Sequence, residues 1–376
     1  MSELRIAVVG VGDVAQRDYL PEAHRLAGEA AIVAVASRSI ERARMVAESY
    51  GIPRWTSDWT ELLDDRVDAV VNLTPIAVHR EITLAAIEAG KHVYSEKPLA
   101  MSPSDGEVIR AAAQRTGVTV VAAPSICLFP QITALDEIVR NGELGAIHSA
   151  RAHVFGGTPP WEGYLSDPSP FFNADGGPLR DMAVYPLHAL TGLFGPVRRV
   201  SAFSQRTRTF FTPAEGPYAG RAVPVESDDD WQLLLQLDAG VVATVQANFC
   251  ARSAAGPELE LHGETGAAGV SLLDVAEPLQ LLSSDADDWT DIPVHAGRAE
   301  GPDHILGVRH LAECVRDGRQ PLVSMEHAIH VLDVIAAAEE SAATGAAVSP
   351  ATGFPWTRPG PTPGTDAPGP THRTEQ

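Results

Sequence analysis

Along the first 124 residues, short apolar runs alternate with stretches of helical periodicity. Leu4–Val9 (LRIAVV), residues 32–37 (IVAVAS), residues 68–73 (DAVVNL), His92–Ser95 and residues 118–123 predict strands. Residues 13–28, 40–50 and 78–89, and the segment between the last two strands, predict helices; Gly51 and Gly90 mark two of their ends. Strands alternating with helices imply right-handed βαβ units in a parallel sheet, and continuous apolar strands imply that both faces are covered.

After Pro124 the texture changes. A helix over residues 133–141 is followed by longer, alternating strands: Ile147–Phe155 and residues 197–207, 231–237 and 241–249. Alternation fits an open, mainly antiparallel sheet with one face packed on helices, here residues 179–194, 305–316 and 326–341. The expected architecture is a Rossmann-like α/β domain over 1–124 and an α+β domain over 125–349. A Pro/Gly-rich tail over 350–376 should lack regular structure, apart from Phe354 and Trp356 tacked onto the body.

Composition removes several function classes. A formal net charge of −21 disfavours nucleic acid and anionic membranes as partners. No run of 18 apolar residues and no signal-peptide pattern is visible, so the expected location is the cytoplasm. Three distant cysteines, Cys127, Cys250 and Cys314, lack metal-ligand spacing and read as reduced, buried thiols; no metal site is expected.

The first strand runs into Gly10-Val11-Gly12-Asp13-Val14-Ala15, a G-x-G-x-x-A pattern opening a helix. Gly10 permits the tight turn, Gly12 lets the backbone approach a pyrophosphate, and Ala15 permits close helix–strand packing. The free N–H groups around Asp13 and Val14 then face the phosphates. The second strand ends on Ala36-Ser37-Arg38, without the acid that would bond a ribose 2′-hydroxyl. Ser37 and Arg38 suit a 2′-phosphate, so NADP(H) is expected ahead of NAD(H). Only two of the 28 basic residues are lysines, Lys91 and Lys97. Lys97 follows the fifth strand, where such sheets bind ligands, whereas Lys91 reads as a surface residue.

Three further motifs stand in order: Asn72-Leu73-Thr74-Pro75 with His79 on the next helix; Glu96-Lys97-Pro98; and Gly176-Gly177-Pro178-Leu179-Arg180-Asp181 leading to Tyr185-Pro186-Leu187-His188. Together with the glycine turn, they resemble the glucose–fructose oxidoreductase / inositol dehydrogenase / MocA family over about residues 3–345. The resemblance implies an NAD(P)-dependent oxidoreductase that interconverts a ring secondary alcohol and a ketone on a sugar, glycoside, sugar nucleotide or cyclitol. It places Thr74, Pro75, His79, Glu96, Lys97 and Pro98 with the coenzyme, often with a cis bond before the proline. It makes Tyr185 the proton carrier; Lys97 should position the oxygen and ease Tyr185 toward phenolate by its charge, and Asp181 should orient Lys97 or a substrate hydroxyl. Homodimers or homotetramers through the open sheet are also implied.

Asp181, Tyr185 and His188 share one face of a continuous helix by spacing, with a kink expected at Pro186. His188 is a reserve acid/base or a substrate ligand. Trp161, Tyr164, Phe171 and Phe172 either stack on a sugar or pack their own loop, and Asn173 and Asp175 are candidate hydroxyl ligands. His79, His153, His262, His304 and His310 read as partly buried or surface histidines. Ile126-Cys127-Leu128 suggests an apolar pocket wall, favouring a glycoside or sugar nucleotide over a free polyol. Two other activities fit the resemblance: cofactor-assisted glycoside cleavage, and dinucleotide sensing without turnover. The presence of Lys97, Asp181 and Tyr185 ranks the sensor last.

Overall fold

The computed structural model describes residues 3–161, 163–295 and 297–356. The part of the expected tail beyond Trp356 lies outside the described residues. Strands β1 (Leu4–Val9), β2 (Ala30–Ala36), β3 (Arg54–Thr56), β4 (Ala69–Asn72), β5 (His92–Ser95) and β6 (Val120–Ala122) pair in parallel in the order β3-β2-β1-β4-β5-β6. The order reverses between β1 and β4, which opens a crevice at the carboxyl ends of the strands. Helix α1 (Ile40–Tyr50) starts where Ser39 Oγ accepts the Arg42 N–H and stops at left-handed Gly51. Helix α2 (His79–Glu88) joins β4 to β5, and α3 (Pro103–Thr116), capped by Ser102, joins β5 to β6.

Helix α4 (Pro130–Asn141) then leads into β7 (Ile147–Phe155) of the second sheet. Short helices α5 (Ser169–Phe172) and α6 (Pro178–Asp181) precede α7 (Val184–Phe194). The further strands are β8 (Val197–Gln205), β9 (Phe210–Phe211), β10 (Val223–Pro224), β11 (Asp230–Leu237), β12 (Val242–Asn248), β13 (Leu259–Gly263), β14 (Ala267–Val270), β15 (Leu279–Leu282) and β16 (Thr290–Ile292). The large sheet runs β16-β15-β14-β13-β7-β12-β11-β8, antiparallel except between β7 and β12, while β9 and β10 form a separate ribbon. Helices α8 (Ile305–Asp317) and α9 (Met325–Thr344) follow.

These last helices serve both units. Ile305, Val308 and Leu311 of α8 enter the core that contains Ile6 and Val8. Ile329 and Leu332 of α9 share a core with Ala7 and Ile109, while Val334 and Ile335 join the core of the second sheet. Gly106 permits the α3–α9 contact, because a Cβ there would stand 2.7 Å from Ile329 Cγ1. As expected, the end of the described chain is tacked down: Phe354 stacks on His327, and Trp356 Nε1 donates to Gly192 O.

Two expected helices differ. Residues 13–28 do not form one helix. A π-helical turn over Ala15–Tyr19 is followed by a 3₁₀ turn over Ala23–Leu26, because Pro21 cannot continue the hydrogen-bond ladder. The helix expected over 179–194 breaks at Met182–Ala183 rather than bending at Pro186. A proline ring collides with the carbonyl four residues earlier, here that of Met182. Lys91 is buried, not a surface residue, and donates from Nζ to Asp64 O at 2.8 Å. The three cysteines are unpaired, but only Cys314 is buried; Cys127 and Cys250 are half-buried.

Candidate active site

The glycine turn has the shape its sequence demands. Gly10 adopts φ +93°, and a Cβ there would lie 2.7 Å from Leu73 O. A Cβ on Gly12 would meet nothing within 4 Å, so space is open above that backbone. Both observations fit a dinucleotide, with the turn receiving its pyrophosphate. At the end of β2, Ser37 donates its backbone N–H to Thr56 O, while Arg38 and Arg42 are exposed without an ion-pair partner among the described residues. Arg42, in the first turn of α1, was not singled out from sequence.

At the end of β4, Thr74 Oγ1 donates to Asn72 Oδ1 at 2.6 Å. His79 is buried, with Nδ1 2.9 Å from Pro98 O and Nε2 2.6 Å from Thr74 O. It therefore ties the strand-end segments containing Thr74-Pro75 and Pro98 together from behind, while burial holds its imidazole below the ordinary range. The Lys97–Pro98 peptide is cis.

Lys97 Nζ donates to Asp181 Oδ1 at 2.7 Å and Asp181 O at 2.6 Å, and lies 5.3 Å from the Tyr185 ring centre. The helix break after Asp181 lets that residue offer both its carboxylate and its carbonyl. Gly176 and Gly177 set the approach: a Cβ on Gly176 would strike Pro170 O, and Gly177 adopts φ +88° against Ser227. Burial pulls the Lys97 ammonium down, but Asp181 and Glu96 outweigh it and leave it above its usual value.

Glu96 accepts the Lys97 N–H at 2.7 Å and the Tyr19 hydroxyl at 2.5 Å. Tyr19 and Tyr94 hydroxyls are 3.0 Å apart, as are Tyr94 and Ser125. His304, at the start of α8, stacks on Tyr19 and lies 6.1 Å from the Tyr185 ring; its buried Nδ1 has no partner among the described residues. Glu96 and Lys97 apart, nothing in the sequence singled out this network, because its members come from four distant segments. Tyr185 itself is only 6 % exposed. Burial first, then the Glu96 and Asp181 carboxylates, hold its phenol well above the ordinary tyrosine range. The expectation that Lys97 eases Tyr185 toward phenolate is therefore corrected.

His188 is brought elsewhere. It is buried against His327, ring centres 4.9 Å apart, and burial, helped by His330, holds it down at about 3. The break at Met182–Ala183 offsets α7 from the Asp181 turn, so the expected shared face is divided. Tyr164 reaches the centre: the Arg17 guanidinium lies 4.9 Å over its ring, and burial pushes its phenol to about 12. Trp161 packs its loop instead, donating to Gly156 O and standing edge-on to Phe171 and Phe249. The same loop crosses to the glycine turn, where Asp13 Oδ2 accepts the Leu165 and Ser166 N–H groups. Asn173 and Asp175 are exposed beyond α5. Ile126 belongs to the core, and Cys127 packs on α7, donating to His188 O.

The parallel dinucleotide-type sheet and its companion domain match known proteins in both parts. Residues 4–123 match the model of the oxidoreductase family with an NAD-binding Rossmann fold, and residues 132–269 match the GFO/IDH/MocA C-terminal domain. The chain belongs to the Gfo/Idh/MocA oxidoreductase family. It is 35 % identical over 202 residues to a dTDP-3,4-didehydro-2,6-dideoxy-alpha-D-glucose 3-reductase of Streptomyces violaceoruber, covering 52 % of this chain and 56 % of that protein. It is 26 % identical over 346 residues to the scyllo-inositol 2-dehydrogenase (NAD(+)) of Bacillus subtilis (strain 168), covering 91 % and 95 %. At 31–35 % identity, the chain spans little more than half the length of the curated relatives it matches. A levoglucosan dehydrogenase complexed with NADH and levoglucosan shares the fold at TM-score 0.80 and 23 % identity, over 93 % of this chain and 100 % of the other. Among the described residues, no helix is long and apolar enough to cross a membrane.

Proposed function

We propose that the protein interconverts a ring secondary alcohol and the corresponding ketone on a carbohydrate or cyclitol, with NADP(H) as preferred coenzyme. The observation that carries this reading is the Lys97–Asp181 ion pair beside the Tyr185 ring, at the carboxyl end of β5 and two strands along the same sheet edge from the open backbone of Gly12. Relatives named for dehydrogenating an inositol and for reducing a didehydro sugar nucleotide support the reaction class. Relatives named with NAD(+) and with NADP(+) both occur, and Ser37, Arg38 and Arg42 favour the phosphorylated form.

When bound, the nicotinamide supplies or takes up the hydride. The N–H groups after Gly12 would seat the coenzyme phosphates, with Ala15 allowing the close helix–strand packing behind them, and Thr74, Pro75 and Pro98, braced by His79, would line the site toward its reactive ring. Lys97, fixed by Asp181, directs its remaining N–H at the reacting oxygen and stabilises negative charge there. Tyr185, kept protonated, donates to that oxygen as the carbonyl is reduced and recovers the proton in the reverse direction. Tyr164 forms the wall facing Lys97 across the substrate space.

Exposed Phe203, Leu234 and Val242 share the open face of the second sheet and support a homodimer or homotetramer formed through it. Unpaired cysteines support a reducing compartment such as the cytoplasm. The test is to follow NADPH oxidation with keto-sugars and keto-cyclitols, and NADP reduction with the matching glycosides and cyclitols. Turnover with at least one ring pair is expected; binding of NADPH without turnover across the panel refutes the assignment.

A further inference from the structure

The π-helical turn after the glycine loop presents a second charged group at the site. Asp18 is 2 % exposed and is held by two guanidiniums. Arg17 donates to it from Nε at 3.0 Å and Nη2 at 2.8 Å. Arg298 reaches Asp18 Oδ1 from Nη2 at 3.2 Å and is anchored through Nη1 on Pro302 O at 2.9 Å. Two cations share one anion, so this triad keeps one positive charge in a chain whose net charge is −21.

The uncompensated charge is accessible. The Arg17 side chain is 45 % exposed. Asp18 occupies the side-on edge of its guanidinium, whereas Nη1 has no partner among the described residues, leaving the end-on edge open. Its orientation is fixed by Asp18 along that edge and by the Tyr164 ring, whose centre lies 4.9 Å from Cζ. A fixed, planar guanidinium with one free edge suits bidentate recognition of a carboxylate or phosphoryl group. The same turn reaches the proposed centre, since Tyr19 stacks on His304, which lies 6.1 Å from the Tyr185 ring.

We infer that Arg17 is a specificity-determining residue that binds a carboxylate or phosphoryl group on the ring substrate. The inference rests on the ring-alcohol reading above and narrows its substrate to acidic members. The coenzyme pyrophosphate offers the same chemistry, but its seat is the N–H cluster at Gly12, one turn earlier. Arg17 instead faces Tyr164 of the second unit, on the Tyr185 side.

The test uses the NADPH-loaded protein, in which an alcohol binds without reacting. Calorimetry compares D-glucuronate and α-D-glucose 1-phosphate with methyl α-D-glucoside. At least one acidic probe should bind about 10- to 150-fold more tightly than the neutral one, the range of a charge-assisted contact. Arg17→Gln should collapse that ratio, and Arg17→Lys should keep part of it. No acidic preference in the wild type, or a ratio unchanged by Arg17→Gln, overturns the inference. A loss confined to NADPH affinity also overturns it, assigning Arg17 to the coenzyme. Acidic preference that depends on Arg17, without NADP reduction by any ring alcohol, sustains the anion site while refuting the ring-alcohol reading.

Discussion

Replacing Tyr185 by Phe isolates the proton transfer from everything else at the centre. The hydrogen bonds that fix Lys97 and Glu96 run to Asp181 and Tyr19, and none uses the Tyr185 hydroxyl. The Phe ring keeps its place beside Lys97 and His304, so thermal stability should change by no more than about 1 kcal/mol. Loss of a positioned proton donor should slow ketone reduction by about 100- to 10,000-fold, or roughly 2.7–5.5 kcal/mol of barrier at about 1.36 kcal/mol per decade. The assay is single-turnover NADPH oxidation between about pH 6 and about pH 9, with coenzyme titration and a melting curve on the same sample. Because burial, Glu96 and Asp181 hold the phenol above its ordinary value of about 10, the wild-type reduction rate should show no tyrosine limb in that range. Oxidation should accelerate toward alkaline pH, and only in the wild type. The reasoning is refuted if Tyr185→Phe keeps most of the reduction rate, or if the wild type shows a limb near neutrality that the variant lacks.

Lys97→Met should lower turnover by about 100- to 10,000-fold; a variant keeping a third of the wild-type rate excludes Lys97 from the mechanism. Stability should fall by about 1–3 kcal/mol, less than for a fully buried pair, because Asp181 is 23 % exposed. Arg38→Ala should weaken NADPH binding by about 10- to 150-fold with little effect on NADH, and an unchanged ratio in fluorescence titrations counts against the 2′-phosphate site. Burial depresses His330 to about 4 and His188 to about 3. Unfolded imidazoles titrate near about 6.5, so stability is fully present above that pH and is lost as pH falls toward about 4. Urea melts between these limits should show the slope, and His330→Gln should flatten it; equal wild-type and variant slopes would exclude His330 as a source.

The first sheet was legible because its strands are continuous apolar runs and its helices carry local punctuation, such as Ser39 and Gly51 around α1. The three-residue strand β3 was missed because Arg54–Thr56 offers too few positions for a pattern. Strands β13 to β16 were missed for a related reason: Ala267–Val270 is small and uniformly buried, and Thr290–Ile292 is short and polar. At the site, Gly10, Gly12, Lys97 and Asp181 were legible because strand ends and glycine turns announce themselves locally. Tyr19, Asp18 and His304 were not: each resembles an ordinary helical or loop position until the fold brings Tyr19 to Glu96, Arg298 to Asp18 and His304 to Tyr19.

The correction at Tyr185 shows where pairwise reasoning from sequence fails. A lysine near a tyrosine lowers the phenol only if its charge is free to act. Here Asp181 holds that ammonium at 2.7 Å, and Glu96 lies one residue away. The phenol therefore meets two carboxylates and one shared cation in a buried site. Burial disfavours the phenolate, and the carboxylates disfavour it further. Lys97 is likewise held in its charged form. Both hydrogen-bond donors thus reach the substrate carrying their protons, the protonation state needed to receive a developing alkoxide. Running the reaction toward the ketone requires the same two groups to accommodate a proton they already hold. The reductive rate should therefore be insensitive to pH around neutrality, while the oxidative rate should rise toward alkaline pH.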